Sequence, residues 1–177
     1  YATVVYSNIL KRLYPDVPVV IGGIEASLRR VTHYDYWSDG LKPSILVDSK
    51  ADMGVYGMGE LTMVEIADAL AQGNKIEELN GERQTFFLQA AQKVLPPFEG
   101  ETIELVSHET CLKDKRAYAS NFRHVEEESN KKEAARLIQH VGDQVLVINP
   151  PLPTFTQQQI DASFDLPYTR LPHPKYD

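Results

Sequence analysis

The stretch VPVVIGGIEASLRR, Val17 to Arg30, joins an apolar run, two glycines and the start of an amphipathic segment. Val17 to Ile21 has the unbroken β-branched character of a strand covered on both faces. Gly22 and Gly23 turn the chain, and Glu25 to Arg30 can begin a helix. Before it, residues 2–14 read as an amphipathic helix with Tyr6, Ile9, Leu10 and Leu13 on one face, ended by Pro15. Strand, glycine turn and helix in succession are the unit from which α/β folds are built.

The same alternation continues downstream. Strands are expected at Ser44–Val47 and Met53–Tyr56, followed by GMGE, Gly57 to Glu60. Leu61–Gln72 predicts a helix with Met63, Val64, Ile66, Ala67, Leu70 and Ala71 on its apolar face and Gly73 as its stop. Thr85–Leu95 has helical spacing and ends at Pro96 and Pro97. PPFEGE, Pro96 to Glu101, is the best internal boundary, dividing 1–98 from 99–177. Beyond it, Thr102–Val106 reads as a strand and Asp114–Glu128 as a helix with Tyr118, Phe122 and Val125 inward. Asn130 and Glu133 have capping-box spacing, which predicts a helix to Val141 with Ala134, Ile138 and Val141 inward. Gln144–Ile148 is a strand, and Thr156 with Gln159 caps a last helix ending near Phe164. The expected fold class is α/β, with a mainly parallel sheet and flanking helices. The opening helix has no strand before it, so the first strands of the sheet are expected upstream of Tyr1.

Charge and cysteine content exclude several functions. The net charge of −7 argues against a broad nucleic-acid interface, which needs a basic face, and equally against an anionic membrane surface. The single cysteine, Cys111, rules out an internal disulfide framework and a structural zinc site of several thiolates. It is compatible with a reducing cytoplasm, the expected location. There is no apolar run of roughly 18 residues, so no transmembrane helix is expected, and no signal peptide is visible.

Ligands of open α/β sheets bind at the carboxyl ends of strands, where glycines admit close approach and helix N-termini offer free N–H groups. Two turns have this form, which makes Gly22, Gly23, Gly57, Gly59 and Glu60 candidate cofactor contacts. The plainer reading is that the glycines serve only the turns and Glu60 balances a helix dipole. Neither turn carries the dinucleotide fingerprint G-x-G-x-x-G or the phosphate loop G-x-x-x-x-G-K-[ST].

The order of the two turns resembles the second half of the cobalamin-binding-like, flavodoxin-like domain that precedes the barrel of many radical SAM proteins. Those domains read GGxxA and then GEGE or a close variant. The counterparts here are Gly22, Gly23 and Ala26, then Gly57, Gly59 and Glu60, with Asp52 where such domains carry an aspartate before the strand. IGGIEASLRR, HYDYWSD and SILVDSKAD narrow the match to the YgiQ-type radical SAM proteins, an uncharacterised bacterial family. FDLPYTRLPHPKY, Phe164 to Tyr176, resembles the segment that in this family immediately precedes the catalytic barrel. The resemblance runs from end to end and is loosest over 79–121.

It implies that 1–98 is the C-terminal part of a cobalamin-binding-like domain, and 99–177 an extension and linker. The barrel would follow Asp177, with a 4Fe–4S cluster on CxxxCxxC and S-adenosylmethionine on its open iron. This chain has one cysteine and cannot hold that cluster. No catalytic or metal-ligating residue is therefore assigned to it, and no cofactor in the fragment itself. Cobalamin lacks its motif, because DxHxxG does not occur. The expected function is that of a non-catalytic accessory region of a radical SAM enzyme of unknown substrate, with the barrel as its intramolecular partner. The alternatives are a module binding cobalamin or a nucleotide-like ligand, and a protein-docking domain.

The polar and aromatic cluster after the first glycine turn holds the substrate or interface candidates: Glu25, Arg29, Arg30, His33, Tyr34, Asp35, Trp37 and Asp39. The charges suit an anionic substrate or a domain contact, and Tyr34, Tyr36 and Trp37 offer broad, partly polar faces. Equally, the aromatics can pack under a loop while the charges pair locally. HETC, His108 to Cys111, fits no common zinc spacing, and His124 and His140 read as helix-surface residues.

Overall fold

The computed structural model describes residues 1–176; Asp177 lies outside the described residues. The chain begins with α1 (Ala2–Leu13), β1 (Val20–Ile21), α2 (Gly23–Leu28), β2 (His33–Asp35), β3 (Gly40–Lys42) and α3 (Ile45–Ser49). β4 (Met53–Val55), α4 (Glu60–Ala71), a 3-10 turn at Ile76–Leu79 and β5 (Thr85–Ala90) follow. β6 (Thr102–Leu105), α5 (His108–Cys111), α6 (Lys115–Ser129), β7 (Arg136–Val141), β8 (Gln144–Ile148) and α7 (Gln157–Phe164) complete it, with a short 3-10 turn at Pro174–Tyr176.

The α/β class holds. One sheet has the order β1-β4-β5-β8-β7-β6, with strands from both sides of Pro96–Glu101. Pairing is parallel at the two flanks, β1 with β4 and β6 with β7. The expected mainly parallel pairing is confined to these flanks, and antiparallel steps join β4 to β5, β5 to β8 and β8 to β7. A parallel return needs a crossover of a dozen residues or more. α2 and α3 supply one for β1 to β4, and α5 and α6 another for β6 to β7. β7 and β8 are joined only by Gly142 and Asp143, with Gly142 at φ 58, and a two-residue turn can close only an antiparallel hairpin.

A single register row crosses the whole sheet: Ile21, Gly54, Phe86, Ile148, Leu137 and Ile103. On this face the apolar members of the row pack with Val4 of α1, Ala26 of α2, Ile45 and Leu46 of α3 and Val125 of α6. The other face buries Met53 and Val55 under Ile66 of α4 with Ile76 and Leu79, and Phe87 with Ile138, Val145 and Val147. Gly54 is required by this row. A Cβ there would lie 2.1 Å from Cζ of Phe86, whose ring occupies that space.

Three elements differ from the sequence expectation. Ser44–Val47 is not a strand: it opens α3, with Ser44 Oγ accepting from Leu46 N at 3.4 Å and Ile45, Leu46 and Ser49 buried. A β-branched run is a weak signal when capping and burial favour a helical turn. Thr85–Leu95 is not a helix but contains β5. Phe86 and Phe87 are both buried, on opposite faces, and a strand covered on both sides has no alternation by which to tell it from a helix. The helix expected from Asn130 to Val141 is β7 for the same reason, with buried residues on both faces. VGDQ, Val141 to Gln144, was the readable hairpin signal.

Helix rotation differs as well. Tyr6 and Leu13 are 66% and 60% exposed, while Ser7 of α1 is buried. Polar anchors set this orientation: Thr3 donates to Glu25, Asn8 Nδ2 to the Asp48 carbonyl at 2.8 Å, and Lys11 to Asp52 at 2.9 Å. α4 turns Thr62 and Ile66 inward and leaves Met63 and Val64 exposed, and α6 buries Asn121 and Val125 but not Phe122.

Gly54→Ala is expected to destabilise the fold by about 1–3 kcal/mol through overpacking against Phe86. Urea unfolding measures this, and Phe86→Leu in the same chain should recover part of the loss.

Candidate functional site

β5 is antiparallel to both β4 and β8, so β1, β4 and β8 run in one direction and share a carboxyl edge. Three turns meet there: Gly22–Gly23, Tyr56–Gly59 and the segment after Ile148. Ser27 of α2 links the first two. Its Oγ donates to the Gly23 carbonyl at 2.8 Å and accepts from Gly57 N at 3.1 Å. Gln84 links the second to the third. Its Nε2 donates to the carbonyls of Tyr56 and Met58 at 2.6 and 2.7 Å, and its backbone N donates to the Pro150 carbonyl at 2.8 Å. Gly57 at φ 68 permits the tight turn around this amide, and buried Gln84 itself is held at φ 62. A side chain in such a conformation is uncommon and marks a position over-determined by its surroundings.

Between these turns lies a cavity of about 450 Å3, lined by Ser27, Arg30, Tyr56, Gly57, Met58 and Gln84 on one side. Pro151 to Phe155, with Ile160 of α7, form the other side. Its volume falls within the range of small-molecule sites, about 300–1,000 Å3. Arg30 lies with its guanidinium 4.8 Å from the centre of the Tyr56 ring. It donates to the Ser27 carbonyl and, at 3.1 Å, to Ser129 Oγ. Burial pushes the Tyr56 phenol far above its ordinary range, and its OH donates to the Asn149 carbonyl at 2.6 Å. Tyr56 is thus a neutral wall of the cavity.

The remaining candidates divide between three places. Gly22 follows β1, where a Cβ would lie 3.4 Å from the Val55 carbonyl oxygen, while Gly59 caps α4 and Glu60 is exposed in its first turn. Glu25, Arg29 and Asp35 form a charge network away from the cavity. Arg29 reaches Glu25 at 3.5 Å and Asp35 at 4.0 Å, and lies 3.5 Å from the centre of the Tyr1 ring. Asp35 Oδ2 also accepts from Ser38 N and Oγ, which holds its carboxyl below the usual range. His33 is buried, with Nδ1 3.1 Å from the Val31 carbonyl. Tyr34 and Asp39 pair on the β2–β3 hairpin, where Tyr34 OH donates to Asp39 at 2.6 Å. Tyr36 and Trp37 form its tip, edge to face at 5.2 Å, with Trp37 80% exposed. Of the cluster following the first glycine turn, only Arg30 lines the cavity. Asp52 lies at the opposite end of β4, where it accepts from Lys11 and Val19 N.

The residues present do not fit an iron–sulfur cluster. Three thiolates are needed, and Cys111 is the one cysteine. It is buried, which raises its thiol pKa, and Asn121 Nδ2 donates to its sulfur at 3.2 Å. Among the described residues no group of three His, Cys, Asp or Glu is placed to hold a metal.

Sequence reasoning missed Ser27, Tyr56, Gln84, Ser129 and the wall at Pro151–Phe155. The rule that singled out Gly22 and Gly57, that sites form at strand carboxyl ends, applies equally to β8 and its NPPLP extension. No local pattern marks Gln84.

Gln84→Ala should cost about 1–3 kcal/mol by leaving two carbonyls without their donor. It should also speed amide hydrogen exchange over 56–60, which mass spectrometry reads. Burial lowers the pKa of both His33 and His108 from 6.5. Their unfolded forms therefore bind more protons below that value. The stabilisation is complete above about pH 6.5 and declines as pH falls toward the folded values. The thermal midpoint should be lower at about pH 5.5 than at about pH 7.5, and the drop should shrink in His108→Asn.

Comparison with known proteins places the sequence in a family. The chain is 56% identical over 99% of its length to a UPF0313 protein of Porphyromonas gingivalis. It is 52% identical to one of Bacteroides thetaiotaomicron and 41% to one of Methanocella arvoryzae, again over 99% of its length. It spans 28–30% of the length of these relatives. No solved structure matches. The family model described as Radical SAM N-terminal matches residues 1–177, and the chain belongs to that family.

Proposed function

We propose that this chain is the accessory region of a radical SAM enzyme of the YgiQ type, itself non-catalytic, which holds a ligand against a catalytic barrel supplied elsewhere in a longer polypeptide. The observation that carries the reading is the family match over the whole chain, joined to a cavity at the carboxyl edge of β1, β4 and β8. The 28–30% share of the relatives' length leaves room for such a barrel. A cluster would supply reductive cleavage of S-adenosylmethionine. No step of that chemistry is assigned to residues here, because one buried cysteine does not fit it. What the chain's own residues do is narrower. Gln84 braces the Tyr56–Met58 turn, Ser27 ties the two glycine turns together, and Tyr56 and Met58 line the cavity. A cluster of this kind suits a reducing cytoplasm.

The cavity also supports a second reading, a module that binds cobalamin or a nucleotide-like ligand without chemistry. Its volume of about 450 Å3 favours a small ligand or one portion of a larger one.

The full-length protein, reconstituted anaerobically with iron and sulfide, should show brown cluster absorbance and convert S-adenosylmethionine to 5′-deoxyadenosine. Residues 1–177 alone should show neither. Full-length protein without cluster absorbance would overturn the accessory-region reading.

A further inference from the structure

We infer that the cavity at the carboxyl edge of β1, β4 and β8 binds a small organic anion, with an apolar, flat body against Tyr56, Met58, Phe155 and Ile160 and its charged group on Arg30. The inference rests on the accessory-region reading only for its biological setting; the binding chemistry stands on the cavity itself.

Arg30 is the central observation. Its side chain is largely buried, and no carboxylate among the described residues reaches it at ion-pair distance; Glu126 acts on it only from beyond that distance, and Glu128, which borders a neighbouring small cavity, is held by Lys131 and the Ala135 N–H. The cavity lining contains no Asp or Glu, in a chain whose net charge is −7. A guanidinium has five N–H donors, and the two bonds to Ser27 and Ser129 leave most of them unused. Its Nε–H is buried with no hydrogen-bond partner among the described residues. A largely buried cation with no carboxylate in contact is costly, and a bound anion offsets that cost. Arg29, the neighbouring residue, shows the contrast: it has both Glu25 and Asp35 as acidic partners.

The walls give the rest of the ligand its character. Tyr56 is neutral and lines the cavity beside the Arg30 guanidinium, Met58 adapts to irregular shapes, and Phe155 and Ile160 lie on the far side. Ser129 Oγ, already held by Arg30, also donates to the Val125 carbonyl at 2.6 Å, so it positions the guanidinium on α6 as well as α2. A carboxylate and a phosphate monoester present the same charge-assisted acceptor to this group, and the probes distinguish them.

The test uses full-length protein and isothermal titration calorimetry with phenylacetate, phenyl phosphate and neutral phenylacetamide. At least one of the two anions should bind about tenfold or more tightly than the amide, as expected for a hydrogen-bonded charge pair. Whichever binds more tightly identifies the anionic group. Arg30→Gln should abolish the preference while circular dichroism remains unchanged. A second reading leaves Arg30 intact: in protein labelled with 13C at methionine methyls, the bound anion should shift the Met58 signal, assigned through Met58→Leu. The inference is overturned if the amide binds as well as the anions, if none of the three binds, if Arg30→Gln retains the preference, or if the anion leaves the Met58 signal in place. Cluster absorbance in the same preparation reports separately on the accessory-region reading. A cluster-bearing protein without charge-dependent binding overturns this inference alone. Charge-dependent binding without a cluster supports it and overturns the other.

Discussion

The ring of Phe86 lies where a side chain on Gly54 would be, and the centre of the sheet depends on that close approach. β4 is short and β5 is antiparallel to it, so the pair is aligned by few ladder bonds. The aromatic ring over the glycine fixes their register, and with it the row that runs from Ile21 to Ile103. That row places Val55 opposite Thr85, which sets Gln84 directly beside the turn that follows β4. The clamp at the edge of the sheet thus follows from packing at its centre. Because protein interiors are close-packed and transmit strain, a shift in this row would be felt at the turn.

The carboxyl edge combines rigid and uncompensated parts. Gln84 and Ser27 satisfy the backbone of the turns, and Asn149 does the same behind them. Its Nδ2 donates to the Asn80 and Glu82 carbonyls and to Thr85 Oγ1, each at 2.9 Å, while its Oδ1 accepts from Arg136 at 3.1 Å. Two arginines in this part of the molecule, Arg136 buried and Arg30 largely so, have no carboxylate at ion-pair distance among the described residues, but they differ. Arg136 is fully enclosed, donates to the Pro96 and Pro97 carbonyls and lies over Phe98, so its donors serve the fold. Arg30 borders the cavity, and its Nε–H has no hydrogen-bond partner among the described residues.

Legibility in the sequence followed the strength of local physics. Thr156 and Gln159 predicted their helix because a capping box is complete within four residues, and both of its bonds are present. Gly73 marked the end of α4 because the chain there needs φ 93, which glycine adopts freely. β5 and β7 were misread because a strand buried on both faces has the same apolar density as a buried helix. In α1 the apolar stripe was real but did not choose the buried face. Thr3, Asn8 and Lys11 chose it through partners 22 to 41 residues away, at separations no window of local sequence spans. At the edge of the sheet, Gly57 and Arg30 were marked by their turns, whereas Gln84 was invisible because its left-handed backbone and paired carbonyls exist only once β4, β5 and β8 are assembled.

By itself the amino-acid sequence determined the α/β class, the two glycine turns after strands, the inability of one cysteine to hold a cluster, and a resemblance to radical SAM N-terminal regions that the family match bears out. These are properties of composition and of contiguous residues, and they survive without knowing which segments touch. Only the tertiary structure decided that the sheet is antiparallel at its centre, that β8 brings its proline-rich exit to the same edge as both glycine turns, and that Arg29 is paired while Arg30 is not. Those outcomes depend on strand order and on burial, and both arise from contacts between residues far apart in the chain.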